Sequence, residues 1–339
     1  MRGLSPKTYL VLILLSAAAL FLAVAAGSVM LPLSTVLDTL KALISGNELP
    51  QSGAIIAHVR LPRVINVFFT GAALSLSGAA MQGLLKNPLA DGSTLGVASG
   101  ASLGAALSLA FGSLLPFSGR LGTAGFAMIF ALLSMAVVLA FAYRLDCTLS
   151  TDTIILTGVV FSMFTNALIS MIITFAGERA RSYLFWTMGS LAGTDYTDAL
   201  ILLCALALCG GILLSSGREL DAFSLGEDNA RSIGVDVEGV RRRILFAASC
   251  LVGITVSIGG CIGFVGLVVP HGVRKVLGPA HEKLLPASLF AGGIFLLLAD
   301  LVGRTILPPL ELPIGVITSL TGSICFMVLL RRGRRMGGC

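Results

Sequence analysis

Two charged residues, Asp300 and Arg304, lie one helical turn apart inside an apolar segment near the end of the chain. Ionisable side chains in such segments are candidates for function, because burying their charge is costly. A spacing of four residues places both on one face of a helix, so we expect an ion pair that orients the arginine. A single acid beside an arginine does not supply the series of carboxylates or histidines that a proton relay uses.

Two more arginines stand at the start of an apolar segment, in the motif Arg60-Leu-Pro-Arg63. Pro62 restricts the backbone, so it is expected to hold both guanidinium groups at a fixed helix entrance. Guanidinium groups form forked hydrogen bonds with carboxylates, which the ammonium group of lysine cannot do. The sequence therefore predicts that Arg60, Arg63 and Arg304 dock the carboxylates of another protein. Contact with solvent or lipid headgroups is the alternative.

A polar stretch, residues 217–243, separates two apolar segments, and we call it the handle. Apolar residues recur among its charges at Phe223, Leu225, Ala230, Ile233 and Val235. This pattern is typical of short helices that bury one face against a partner. The sequence therefore predicts that the handle is a docking surface.

Motifs for nucleotide hydrolysis and metal binding are missing from the sequence. The pattern Gly-x-x-x-x-Gly-Lys-Ser/Thr does not occur, and the glycine-rich residues 259–266 lack the lysine that would hold a phosphate. His58, His271 and His281 show no zinc-type spacing, and the seven cysteines include no Cys-x-x-Cys pair. We therefore expect no catalysis, no cofactor and no metal ion on this chain.

Two polar breaks, residues 87–93 and 146–152, interrupt the apolar segments. Serine, threonine and aspartate accept hydrogen bonds from the free amides of helix starts, so capping turns are one interpretation. The other interpretation is that the small hydroxyl residues Ser150 and Thr151 form a narrow gate at the inner mouth of a passage. Both interpretations remain open at this point.

The composition shows what surrounds these residues. Of 339 residues, 56% are hydrophobic and only 12% are charged, whereas roughly a quarter of the residues in soluble proteins are charged. Nine apolar segments approach or exceed the roughly 20 residues that cross a hydrocarbon core. They are residues 9–30, 64–85, 95–116, 121–143, 153–176, 199–215, 244–270, 284–303 and 312–330. The sequence predicts an all-α polytopic protein of the lipid bilayer, with one transmembrane domain over residues 1–339.

The basic termini predict the orientation. Lysine and arginine favour the cytoplasmic side, and both ends are basic, with Arg2 and Lys7 at one end and residues 331–335 at the other. Nine single crossings would separate these ends, so one segment must cross twice. Segment 244–270 is too long and is interrupted by glycines, which indicates a full helix and a short return helix. We predict ten crossings of the cell membrane, with both termini and the handle in the cytoplasm.

Several motifs occur together in a fixed order. They are Arg60-Leu-Pro-Arg63 and residues 71–83, 87–91, 95–100, 263–271 and 311–315. Read together, they resemble the FecCD-type permeases, which are the membrane subunits of ABC importers for iron-siderophores, haem and cobalamin. The resemblance extends from the second apolar segment to the last. Gly92 departs from it, because many relatives have proline at this position after the acid.

The resemblance implies a homodimer with ten helices per subunit and a translocation path at the dimer interface. It implies two cytoplasmic ATPase subunits, which bind ATP and Mg²⁺, and an extracytoplasmic substrate-binding protein. This subunit is then a transport protein and not an enzyme, and no nucleic acid takes part. Ferric siderophore is the expected cargo class, ahead of haem and cobalamin.

The same resemblance assigns roles to residues of this chain. Arg60, Arg63 and Arg304 are similar to outward arginines that meet glutamates on the binding protein, and Ser150 and Thr151 are similar to the inner gate. The handle contains a segment similar to the coupling helices that rest on the ATPase. Its residues are Leu225, Gly226, Glu227, Ala230, Arg231 and Gly234.

Two other functions compete with this one. An ion-coupled secondary transporter also uses broken helices lined by small residues. An intramembrane enzyme is the weaker alternative, because the sequence shows no paired acids, no zinc-ligand spacing and no arrangement of nucleophile and base.

Overall fold

A computed structural model of the chain describes residues 3–27, 31–47, 50, 53–91, 95–111, 120–146 and 150–336. Nearly all of these residues are helical, and among them no strand forms, only one isolated bridge between Leu307 and Leu310. The predicted all-α class is confirmed. The helices are α1 (Pro6–Ala25), α2 (Leu33–Ser45), α3 (Gly53–Leu84), α4 (Val97–Phe111), α5 (Arg120–Leu145), α6 (Thr151–Ala176), α7 (Ala180–Thr187), α8 (Tyr196–Ser215), α9 (Gly217–Ser224), α10 (Glu227–Ser232), α11 (Val237–Gly259), α12 (Val265–Leu277), α13 (His281–Thr305) and α14 (Ile314–Met336).

Ten of these helices correspond to the ten predicted crossings. Seven spans are long and apolar enough to cross a membrane, and they contain α1, α3, α5, α6, α8, α11 and α13. The apolar parts of α4 and α14 are shorter, and α12 has 13 residues. Seven of the ten helices are therefore long and apolar enough to cross a membrane, and the other three are shorter.

The segment that was predicted to cross twice breaks into two helices. α11 ends at Gly259 and α12 begins at Val265. Between them, Gly260 and Phe264 have φ angles of 71° and 67°. This left-handed region suits glycine but is unfavourable for other residues, and two such residues within five positions turn the chain back. The predicted return helix is therefore confirmed as α12.

α3 lies at the centre of the bundle, and every residue from 70 to 84 is buried. Two pairs of glycines bring neighbouring backbones against it. Gly71 lies against Gly292 of α13, and Gly78 lies against Gly266 of α12, so closely that a Cβ atom on any of the four would overlap backbone atoms. Small residues permit such approach where no hydrophobic force drives membrane helices together. The core therefore depends on the absence of side chains at these positions.

The sequence did not predict two short helices, α2 and α7. α2 has one face on which Val36 and Thr39 are fully buried and another on which Asp38 and Lys41 are exposed. α7 follows α6 after a 3₁₀ turn at Gly177–Arg179. Both helices are shorter than a membrane crossing, so a search for long apolar segments passes over them.

The ends of the helices collect on two faces of the bundle. The handle face carries α9 and α10 together with the first turn of α13. The arginine face carries Arg60, Arg63 and Arg304, where the start of α3 meets the end of α13. α13 has 25 residues and is therefore about 37 Å long, so it connects the two faces.

Candidate functional site: an arginine cluster and a handle on opposite faces

Asp300 brings two of the three predicted arginines together on the arginine face. Its Oδ1 accepts hydrogen bonds from Arg63 Nη2 at 2.9 Å and Nε at 3.1 Å, and its Oδ2 lies 2.8 Å from Arg304 Nε. Arg63 also donates a hydrogen bond to Glu311 Oε2 at 2.6 Å. Asp300 is only 2% exposed, so its carboxylate is buried between two guanidinium groups. The expected ion pair between Asp300 and Arg304 is confirmed.

Arg60 and Arg304 cap the carboxyl end of α1. Each donates to two carbonyl oxygens in the last turn of this helix. The acceptors are the carbonyl oxygens of Ala23, Val24, Ala25 and Ala26, at 3.0 to 3.3 Å. The last carbonyls of a helix have no partner within it, and the helix dipole favours cations there. Charge-assisted hydrogen bonds therefore attach α1 to α3 and α13.

The regular α-helix Leu61–Leu84 begins at the predicted entrance, directly after Arg60, but the helical segment as a whole starts before it. α3 begins earlier, at Gly53, and Ile56–Arg60 forms a π turn within it. Pro62 follows this π turn and has no backbone N–H, so one α-helical hydrogen bond is missing here in any case. The wider π turn therefore costs little additional hydrogen bonding at this position. The proline therefore lies where the irregular turn ends and the regular α-helix begins.

The three arginines use their donors inside the subunit. Arg60 is 6% exposed and Arg304 is 3% exposed, whereas the side chains of Arg63 and Glu311 are 12% and 31% exposed. Carboxylates of a partner would have to compete with Asp300, Glu311 and the carbonyl groups of α1. The docking role of the three arginines therefore stays a prediction.

On the handle face, two side chains of α9 attach this helix to the first turn of α13. Asp221 Oδ1 accepts a hydrogen bond from the backbone N–H of His281 at 2.7 Å and lies 2.8 Å from His281 Nδ1. Helix starts need such an acceptor, and Ala280, which precedes α13, offers none. Arg218 Nε donates to Glu282 Oε1 at 2.7 Å, and this bond raises the pKa of Arg218. The handle is thereby fixed to α13.

Replacing Asp221 by alanine should lower the free energy of unfolding by about 1–2 kcal/mol, the usual loss when a helix start loses its acceptor. Thermal unfolding of the purified subunit in detergent measures this loss. Asp228→Ala is the matched control, because Asp228 is exposed and its side chain makes no hydrogen bond or ion pair with the residues that the structure describes. Equal losses in the two variants would contradict the role of Asp221.

Arg241 attaches α10 to α11. Its side chain is 2% exposed and forms an ion pair with Glu227 at the start of α10. At the surface, Arg231 lies 3.8 Å from Glu238. α11 begins at Val237, so the last part of the handle, residues 237–243, is the first part of this helix.

The residues that were predicted to couple the handle to a partner fall into two groups. Leu225 is 67% exposed, as is its neighbour on the same surface, Ile233. Ala230 is fully buried, and Gly226 and Gly234 have φ angles of 110° and 89° on either side of α10. Leucine and isoleucine are thus free to contact a partner, while alanine and the glycines maintain the shape of the handle.

Ser150 and Thr151 lie at the start of α6. Ser150 N–H donates a hydrogen bond to Asp146 Oδ2 at 3.0 Å, and the Ser150 hydroxyl lies 2.9 Å from Thr153 Oγ1. The Ser150 hydroxyl accepts no hydrogen bond from a backbone amide of α6, so the capping that one interpretation expected of it is not observed. A gate needs a second surface opposite this turn, so the gating role stays a prediction.

A polar stripe on α6, which the sequence analysis did not single out, consists of the exposed residues Asn166, Ser170 and Thr174. The hydroxyls of Ser170 and Thr174 donate to carbonyl oxygens one turn earlier, at 2.9 and 2.8 Å. The Asn166 amide has no hydrogen-bond partner among the described side chains and backbone groups. An amide that faces lipid is costly, so the stripe requires water or another protein surface. The spacing of four residues between these polar positions is the sequence signal that could have revealed the stripe.

A cavity of about 550 Å³ lies between α5 and the first half of α6. Its lining is mostly apolar and includes Val137, Phe141, Leu156 and Phe164. Within the described part of the chain, no three His, Cys, Asp or Glu side chains lie together as a metal site requires. The residues around this cavity are therefore suited to contact with apolar surfaces.

The model of the FecCD transport family matches residues 12–332. The chain is 44% identical over 292 residues to the uncharacterized ABC transporter permease protein YvrB of Bacillus subtilis, covering 86% of this chain and 83% of YvrB. It is 39% identical over 277 residues to the cobalamin import system permease protein BtuC of Halobacterium salinarum, covering 82% and 73%. A solved structure described as an inward-facing, metal-chelate type ABC transporter is 31% identical, with a TM-score of 0.85 and coverage of 97% and 100%.

Proposed function

Because this chain belongs to the FecCD transport family and is a permease subunit of an ABC importer, we propose that it moves a metal chelate into the cell. One relative imports cobalamin, and the structural relative is of the metal-chelate type. Cobalamins, haem and ferric siderophores are all bulky chelates, and ferric siderophores are the cargo that we propose first. All of them require a wide passage and no bond-making step.

The energy is proposed to come from two ATPase subunits, which bind ATP and Mg²⁺. The handle carries this proposal, because Leu225 and Ile233 are exposed on a chain that has no phosphate-binding loop of its own. The handle face and both basic termini are then cytoplasmic. Movement of the ATPases displaces α9 and α10, and Asp221 passes this displacement to α13, so nucleotide state and cargo affinity become linked.

A second copy of the chain is proposed to complete the passage. The support is α6, because only 11% of the apolar window of this span is buried and its polar stripe faces away from the subunit. A homodimer covers the apolar part of this surface and leaves Asn166, Ser170 and Thr174 beside a water-filled path. Ser150 and Thr151, at the handle end of the same helix, then form the inner gate.

The arginine face is proposed to receive an extracytoplasmic substrate-binding protein. Arg63 and Glu311 reach its surface, and beside them the loop residues Leu307 and Leu310 are 54% and 71% exposed. In this proposal Arg60, Arg63 and Arg304 meet carboxylates of the binding protein in exchange for their present partners. Forked guanidinium groups suit such an exchange between carboxylates.

Uptake into proteoliposomes tests this function, with radiolabelled cyanocobalamin and a ferric siderophore as the two cargoes. We expect uptake of one cargo only when the ATPase, ATP and the binding protein are all present. Leu225→Ala should lower ATP-driven uptake about tenfold, which corresponds to about 1.4 kcal/mol of lost contact. Leu200→Ala is the matched control, because Leu200 is 59% exposed on α8, away from the handle, and this variant should keep the wild-type rate.

The alternatives give different results in the same assay. Uptake that continues without the ATPase and follows an ion gradient would establish a secondary transporter. Chemical conversion of a substrate by the isolated chain would establish an enzyme. Equal rates for Leu225→Ala and wild type would remove the handle from the mechanism.

A further inference from the structure

A cavity of about 810 Å³ opens on the handle face, between the end of α3, the handle helix α9 with the residues that flank α10, and the end of α12. Its lining includes three cations, Lys86, Arg218 and Arg274, and one carboxylate, Asp221. Asp221 and Arg218 are already bonded to the first turn of α13. Lys86 and Arg274 therefore determine the charge that the cavity offers to a ligand.

Arg274 is half-buried, and its guanidinium group makes no hydrogen bond or ion pair with any residue that the structure describes. Removing a charge from water without a partner is costly. The next residue, Lys275, is exposed and does not line the cavity. An anion inside the cavity would therefore stabilise the charge of Arg274 and not that of Lys275.

Lys86 lines the cavity with an unusual backbone conformation, at a φ angle of 48°. This left-handed region is unfavourable for residues that have a Cβ atom. Such strain persists where the surrounding structure or a function requires it. Here the strained residue follows the end of α3 and adds a second cation, with no partner among the described residues, to the cavity wall.

Two buried polar atoms of the cavity-lining residues, Gln82 Oε1 and His281 Nε2, have no hydrogen-bond partner among the described residues. Gln82 is 3% exposed and His281 is 6% exposed. Because Asp221 lies at hydrogen-bond distance from His281 Nδ1, we place the proton on Nδ1, which leaves Nε2 as an acceptor. Both atoms are enclosed by the protein, however, and His281 Nε2 lies against Gly83, so neither is exposed to the cavity.

We infer that this cavity is a socket for an acidic segment of the ATPase partner, an inference that rests on the proposed function. Lys86 and Arg274 match a carboxylate of such a segment. Leu225 and Ile233 also line the cavity and match apolar neighbours of the acid. Because these two residues belong to the polar handle, beyond the ends of the membrane spans, a protein segment fits this site better than a lipid headgroup.

Charge reversal tests the socket, with Arg274→Glu as the variant and Lys275→Glu as the control at the next residue. Binding of the purified permease to its ATPase is titrated in detergent at fixed ionic strength. Arg274→Glu should weaken binding about tenfold or more, and Lys275→Glu about twofold or less, because only the first opposes a buried contact. Arg274→Gln removes the charge without reversing it and should give an intermediate loss.

Each variant is also tested for thermal unfolding, and if Arg274→Glu fails to fold, the comparison is made with Arg274→Gln. Equal weakening by the Arg274 and Lys275 variants would overturn the socket, since it would report only the overall charge. Unchanged binding by Arg274→Glu together with loss by Leu225→Ala would refute the socket and leave the proposed coupling intact. A loss that appears only in nanodiscs with anionic phospholipid would assign the cavity to a lipid headgroup and also overturn the inference.

Discussion

Replacing Asp300 by asparagine should lower the free energy of unfolding of the subunit by about 3–5 kcal/mol, the usual loss when one partner of a buried ion pair is removed. The change leaves Arg63 and Arg304 without their shared carboxylate, and Arg304 is only 3% exposed. Asparagine keeps the size of the side chain, so the loss reports charge and not a cavity. Thermal unfolding in detergent, followed by circular dichroism, measures it.

Glu311→Gln is the control on the same cluster. The Glu311 side chain is 31% exposed, so its bond to Arg63 should contribute about 1 kcal/mol or less. The double variant Asp300→Asn, Arg304→Gln should recover part of the loss, because it also removes one of the unpaired cations. A similar loss for Glu311→Gln and Asp300→Asn would refute Asp300 as the centre of the cluster.

Adding one methyl group at Gly78 should disrupt the bundle. A Cβ atom there would overlap the carbonyl group and the Cα atom of Gly266, so α3 and α12 would have to separate. Overpacking usually costs about 1–3 kcal/mol, and we expect Gly78→Ala to reach or exceed the upper end, since backbone atoms cannot rotate aside. The yield of monodisperse protein and the unfolding temperature both measure this effect.

Gly125→Ala is the matched control, because Gly125 lies in α5 with open space around the position of an added Cβ atom. Alanine stabilises a helix by up to about 1 kcal/mol relative to glycine, so this variant should be neutral or slightly more stable. A loss as large as that of Gly78→Ala would show that glycine itself, and not the contact with Gly266, is needed at such positions.

The long helices were predictable because membrane crossing requires a length and an apolar composition that are visible in any window of the sequence. The return helix α12 was predictable from the excess length and the glycines of segment 244–270. Helices α2 and α7 were not, since they are stabilised by contacts with other parts of the chain. The burial of Val36 and Thr39 on α2 could be inferred only by knowing which parts of the chain pack against them.

The arginine cluster was likewise predictable from the sequence only in part. The four-residue spacing predicted the pair of Asp300 with Arg304, because that contact lies within one helix. The capping of α1 by Arg60 and Arg304 joins residues more than thirty positions apart, and backbone carbonyls carry no sequence signal. Sequence therefore identified these arginines as unusual and could not tell whether their donors point outward or inward.

α13 is a single helix that is anchored at both ends by side-chain contacts, at His281 by Asp221 and at Arg304 by the last carbonyls of α1. A continuous helix of this kind can transmit an axial displacement from the handle face to the arginine face without passing through a loop. Pro286, in its second turn, removes one backbone hydrogen bond and concentrates bending there. The helix is thus easier to bend beside the handle than over its remaining length, so small rotations at the handle face are absorbed near Pro286, while a displacement along the axis reaches the arginine face.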